Sequence, residues 1–142
     1  RTHTDKPETK GSMKGAEFGS ADGLSFDHRG VLWIQTDVSS STINSKDYKG
    51  MGNNQMVATI PGTNEFRRFL TGPRGCEITG IAFTPDNRTL FINIQHPGEP
   101  SEGLSDPQHP TAVSSWPDGD KAGRPRSSTV VIVKADGGII GT

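Results

Sequence analysis

The sequence predicts an all-β chain, and three observations carry the prediction. Short apolar runs alternate with polar residues, turn-forming clusters of Gly, Pro, Asn and Asp separate the runs, and the order of the runs repeats. Composition agrees, since only 30% of residues are hydrophobic against 18 Gly and 10 Pro, a mixture that suits short strands and turns better than a helical core.

Taken in order, residues 1–20 are polar and glycine-rich without periodicity, and read as a loosely structured arm or the remnant of a preceding unit. Gly23–Asp27 alternates, His28-Arg29-Gly30 turns, and Val31–Thr36 runs back, which predicts a hairpin. After a Ser/Asn/Gly-rich loop from Val38 to Asn54, the runs Gln55–Ile60 and Glu65–Leu70 flank Pro61-Gly62-Thr63-Asn64 and predict a second hairpin. Ile78–Phe83 and Thr89–Ile94 then flank Pro85-Asp86-Asn87-Arg88, a long polar loop follows, and Ser128–Lys134 forms a further strand. Gly23-Leu24-Ser25-Phe26 overlays Gly80-Ile81-Ala82-Phe83 at an offset of 57 residues, and Trp33 overlays Phe91 at 58.

A repeat of short strands at this spacing is the pattern of β-propeller blades. The expected organisation is about two four-stranded antiparallel blades of a larger propeller. The first blade would span residues 21–77 and the second 78–142, with a long loop over 97–127. The competing reading is a pair of similar hairpins in a sandwich. Propellers close with about 4–8 blades, so this chain would be part of a longer one, or its open edges would pair with another copy. Trp33 and Phe91 are expected to pack between blades.

Net charge of −1 offers no basic footprint for nucleic acid. No apolar run approaches the roughly 20 residues that span a bilayer. The lone cysteine, Cys76, excludes an internal disulfide. The start at Arg1-Thr2-His3, with no visible signal peptide, reads as an internal segment.

In a four-stranded meander the start of the first strand, the end of the second and the loop to the third share a rim. That logic gathers Asp22, Asp37, Arg74, Glu77 and His96 with both long loops, and sends the short turns to the opposite rim. Asp22 and Glu77 would stand at the heads of innermost strands, where oxygen donors suit a hard cation such as Ca²⁺. Asp22 as a turn cap and Glu77 as a solvated carboxylate are the plainer alternatives. Cys76 is either a soft ligand for iron or a small buried hydrophobe. His96 is a ligand, an acid/base group or a loop anchor, and Arg74 is either a phosphate fork or a surface turn residue. Arg124 and Arg126 are equally open, and His28 and His109 carry no pattern. Asn87-Arg88-Thr89 fits the N-glycosylation pattern within a tight turn. No Walker loop, Gly-x-Ser-x-Gly elbow or paired-cysteine zinc spacing occurs.

Several stretches, taken together, resemble a known family. They are Asp22–Asp27 with Leu32–Asp37, Gly52–Met56, Arg67–Pro73 into Gly75–Gly80, Phe91–Glu99, Ser115-Trp116-Pro117 and Arg124–Ser127. In order and combination they resemble the C-terminal region of PhoX-type alkaline phosphatases. That resemblance implies a propeller exported by the twin-arginine route to the periplasm or beyond, hydrolysing phosphomonoesters at an iron–calcium (Fe³⁺, Ca²⁺) cluster. It carries over only Asp22 and Glu77 as metal ligands; Asp37, His96 and Cys76 are weaker metal candidates, and Arg74 a weak phosphate contact, on their own placement and chemistry. The family's Arg-Pro-Glu segment and upstream cysteine are not in this chain, and the join between residues 10 and 18 is shorter than the family's, so the piece alone is expected to be inactive. Two rivals remain: a calcium-dependent lactonase or esterase propeller using Asp22 and Asn53-Asn54, and a propeller that binds partners without catalysis.

Overall fold

The structure is a computed structural model that describes residues 13–119 and 123–142. The alternating runs become strands: β1 (Lys14–Gly15), β2 (Ala21–Phe26), β3 (Leu32–Thr36), β4 (Gln55–Thr59), β5 (Glu65–Thr71), β6 (Glu77–Phe83), β7 (Thr89–Gln95) and β8 (Ser128–Val133). The only helical element among the described residues is a 3₁₀ turn at Lys46–Tyr48. Strands β2 to β5 form an antiparallel meander, and β1 adds in parallel outside β5, giving a five-stranded sheet in the order β1-β5-β4-β3-β2. A three-stranded antiparallel sheet, β6-β7-β8, faces it.

The second sheet therefore has three strands where four were expected. The residues after β8 turn instead of extending, because Asp136-Gly137-Gly138 bends the chain with Gly137 at a positive φ of 68°. That bend drives Ile140 into the core, where it is 1% exposed.

The core lies between the sheets. Trp33 and Met56 of the first sheet meet Ile78, Leu90, Ile92 and Ile94 of the second. Trp33 packs edge-on to Phe69 at 5.0 Å between ring centroids, and against Phe83 of the other sheet at 5.4 Å. Gln35, 1% exposed, donates across the gap to the Gly80 carbonyl at 2.9 Å.

Trp33 thus packs between the sheets as expected, whereas Phe91, its counterpart in the repeat, is 37% exposed. Alternation along β7 turns Leu90, Ile92 and Ile94 inward, leaving Phe91 on the outer face in a row with Ala82 and Val131. The two positions differ because the first sheet's inner face is covered by the second sheet, and the second sheet's outer face is covered by none of the described residues.

Both short turns lie at one end and are tied to the C-terminal turn. Arg29 Nη2 donates to the Ile140 carbonyl at 2.7 Å, Ile140 N to the Asn87 carbonyl at 2.9 Å, and Arg88 to the Gly137 carbonyl. Asn87 is 4% exposed with φ 55°, so the apparent glycosylation triplet is closed off within a left-handed turn.

Candidate carboxylate site on the loop-rich rim

The opposite end carries the long loops and the acidic side chains. The first strand of each sheet bulges: in β2 the pairing slips at its start, between Ala21 and Gly23, leaving Asp22 unpaired, and in β6 it slips in mid-strand, between Thr79 and Ile81, leaving Gly80 unpaired. Such bulges re-aim the side chains beside them. Asp37 follows β3 directly, its N–H donating to the Ser20 carbonyl at 3.0 Å, which ties it to the entry of β2. Glu77 opens β6 opposite Gln95, and His96 is the next residue after that partner.

These placements bring three of the predicted residues, Asp22, Asp37 and His96, within electrostatic reach of the fourth, Glu77. Glu77 is 9% exposed, and burial pushes its carboxyl above the ordinary range, with Asp37 and then Asp22 adding to the push. His96 and a hydrogen bond from Thr79 pull the other way. Asp22 and Asp37 are exposed. His96 Nδ1 lies 3.2 Å from the Gly75 carbonyl, which only accepts, so Nδ1 carries the proton of that hydrogen bond. The other ring nitrogen, Nε2, lies 3.6 Å from Glu77 Oε2. Backbone carbonyls commonly orient metal-binding imidazoles in this way.

Backbone strain accompanies the site. Ser20 and His96 both adopt left-handed conformations, with φ of 51° and 37°. Ser20 Oγ is fixed by the Tyr48 hydroxyl at 2.9 Å, and the Tyr48 ring covers Gly19, where an added Cβ would stand 2.7 Å from Cε1. Residues 96–99 press on the lead-in to β6: Gly98 N donates to the Arg74 carbonyl at 2.9 Å, and a Cβ at Gly75 would stand 2.5 Å from the Glu99 carbonyl oxygen.

Arg74 joins the rim through this backbone contact, and its side chain is exposed and makes no ion pair among the described residues. Cys76 does not join it. Its sulfur points into the core beside Ile78, both packing over Gly72, and burial pushes the thiol up to about 12. In this position Cys76 packs as a small buried hydrophobe among core side chains. Asn54 is likewise committed elsewhere. Its Oδ1 accepts from Thr36 Oγ1 (2.9 Å) and Val38 N (2.7 Å), and its Nδ2 donates to the Val38 (3.1 Å) and Cys76 (2.9 Å) carbonyls. That leaves Asn54 no capacity to act as the calcium donor of a lactonase.

Among the described residues, no group of three or more His, Cys, Asp or Glu side chains closes tightly enough to hold a metal ion. The donors match a hard cation or iron in kind, with carboxylate oxygens and one imidazole, and fall short in number. Sequence reasoning overlooked two buried polar anchors, Gln35 and Asp27. The second had a local signal, an acidic residue opening an Asp27-His28-Arg29-Gly30 turn.

Among known proteins, the family model for alkaline phosphatase PhoX matches residues 1–98 of this chain. The chain belongs to the PhoX alkaline phosphatase family. It is also similar to the solved structure of Pseudomonas fluorescens PhoX in complex with vanadate, a transition state analogue, at 50% identity and a TM-score of 0.72. That match covers 86% of this chain and 19% of the Pseudomonas chain, so the present chain spans about a fifth of that relative's length. No curated protein matches it.

Proposed function

We propose that this chain supplies one sector of a metal-dependent alkaline phosphatase acting on phosphomonoesters, and that Asp22, Asp37, Glu77 and His96 contribute to its Ca²⁺ and Fe³⁺ centre. The observation that carries the reading is the near-buried Glu77 at the head of β6, whose ionised form the nearby Asp37 and Asp22 oppose. Gathering like charges around a desolvated carboxylate is unfavourable unless a cation joins them. Membership of the PhoX family, and a relative that binds a phosphoryl transition-state analogue, support the reaction class.

Metal ions, when bound, neutralise charge on the phosphoryl oxygens and provide an activated water or hydroxide. Within this chain, Glu77 and the exposed Asp22 and Asp37 would hold that charge, and the Gly75 carbonyl would fix the His96 ring with Nε2 directed at the centre. The rest of the ligand set would come from the remainder of the parent protein, so the isolated chain would be inactive.

The propeller reading fits the same picture. The two sheets stack face to face, with β2 and β3 of the first touching β6 of the second. Large apolar side chains stand bare on both outward faces, Leu24 (63% exposed) and Phe26 (62%) on one and Val131 (57%) and Val133 (62%) on the other. This is the surface expected of inner members of a longer stack of blades.

The test is elemental analysis of the full-length protein together with an aryl-phosphate assay before and after chelation. Bound iron and calcium, lost along with turnover when Asp22→Ala and Glu77→Ala are combined, is the expected result. A metal-free yet active protein, or full activity in the double variant, would overturn the assignment.

A further inference from the structure

One cavity on the rim stands next to this carboxylate group without sharing its chemistry. It encloses about 360 Å³ between the turn after β7 and two parts of the long loop, a size within the roughly 300–1,000 Å³ range of small-molecule sites. His96 lines the cavity and also stands 3.6 Å from Glu77, so a single imidazole separates the two.

Four prolines, Pro97, Pro107, Pro110 and Pro125, form the apolar part of its wall. Fixed φ angles make such a wall stiff. Pro125 also braces Gly98, where an added Cβ would stand 2.9 Å from its Cγ. The loop carrying these residues is pinned at both ends: His96 N donates to Ser127 Oγ at 3.0 Å, and Arg126 pairs with Asp118. Trp116 packs from the same loop onto the core. The cavity is therefore preformed rather than a gap between loose segments.

Its polar side is mixed. Ser105, Glu99 and Asp106 offer acceptors, and Ser105 and Arg124 offer donors. Asp106 is oriented by His109 Nδ1 at 2.7 Å and Gln108 N at 2.8 Å. Arg124 is exposed and makes no ion pair among the described residues. Carboxylates beside a guanidinium, with flat apolar walls, match a ligand that has hydroxyls at its edge and C–H groups on its faces. They do not match a purely aromatic or purely anionic group, because the carboxylates would repel the second and leave their own polar atoms unpaired against the first.

We infer that this cavity is the leaving-group subsite and receives a polyhydroxylated alcohol, so that the preferred substrates are sugar or polyol phosphates. The inference rests on the phosphatase reading above. With phosphate at the carboxylate rim, the ester oxygen leads past His96 into the proline-walled cavity. Arg124, Glu99 and Asp106 then meet the sugar hydroxyls, and uniform binding there acts mainly on KM.

Glucose 6-phosphate and methyl phosphate discriminate, because both are alkyl esters and only the first has a leaving group large enough to fill the cavity. In the full-length protein, Arg124→Ala should lower the ratio of kcat/KM for glucose 6-phosphate over methyl phosphate about tenfold, mostly through KM. Ser105→Phe, which fills the cavity from another part of the loop, should lower the same ratio, and methyl phosphate turnover reports whether either variant is folded. An unchanged ratio in both variants would overturn the subsite. Should the unmodified protein hydrolyse neither ester, the phosphatase reading itself has failed. Calorimetric titration with glucose then decides the cavity separately, since binding weakened by Arg124→Ala supports it and absence of binding ends it.

Discussion

Two buried carboxylates stand at opposite ends of the same stacked sheets, and their surroundings are opposite in kind. Asp27, 6% exposed, accepts from Arg29 N (2.8 Å), Arg29 Nη2 (2.6 Å), Val31 N (3.1 Å) and Trp33 Nε1 (3.2 Å). Burial alone would raise its pKa, but the Arg29 side chain, the two backbone donors and the indole outweigh it and hold the group below the usual carboxylate range. Glu77 is similarly buried and has the reverse balance, with burial, Asp37 and Asp22 winning over His96 and Thr79. The first carboxylate is completed by its own turn and serves the fold. The second is left with more negative charge than its neighbours offset, the imbalance that the proposed metal centre would relieve.

The contrast can be broken most directly at Asp27. Asp27→Ala should destabilise the full-length protein by about 2–3 kcal/mol, since it leaves the buried Trp33 N–H and the Arg29 and Val31 turn N–H groups without their acceptor. Urea unfolding measures this, and a loss below about 1 kcal/mol would mean that the turn re-forms its bonds with water. A second, smaller effect concerns acid. Because the folded-state pKa of Asp27 is depressed, its contribution is complete above the unfolded value of about 3.9 and is lost as pH falls through the lower folded value. Asp27→Asn should therefore flatten the acid limb of the stability profile below about pH 4 and leave its shape near neutrality unchanged. The smallest effect is at the other end. Glu77→Gln in chelator-treated protein should be neutral or stabilising by up to about 1 kcal/mol at neutral pH, because it removes one of the crowded charges. A clear destabilisation in thermal melts would show that Glu77 is as fully paired as Asp27 and would erase the contrast.

Much of this was readable from residue order. Alternation located the hairpins, and the repeat between Gly23–Phe26 and Gly80–Phe83 put Asp22, Asp37, Glu77 and His96 on one rim, where the structure has them. What escaped were features set by tertiary contact. The parallel pairing of Lys14–Gly15 with β5 spans only two residues and leaves no periodicity to detect. The insertion of Ile140 depends on the Asp136-Gly137-Gly138 bend, not on a hydrophobic run. Phe91 and Trp33 are equivalent in the repeat, yet their burial is decided by what lies beyond each sheet, which strand pattern does not encode. The direction of the Cys76 sulfur follows from the missing side chain at Gly72, a contact between turns that neither residue announces alone.

The close passage of Gly75 beneath Glu99 has a consequence for how such a rim can diversify. The offset between Glu77 and the imidazole of His96 is gauged by main chain resting on main chain, with no room for even one extra carbon. Side chains along the 97–127 loop can then be exchanged without retuning the distance between the ring and the carboxylate. Selectivity is free to drift with the loop, while the spacing at the acidic end is inherited as a fixed length.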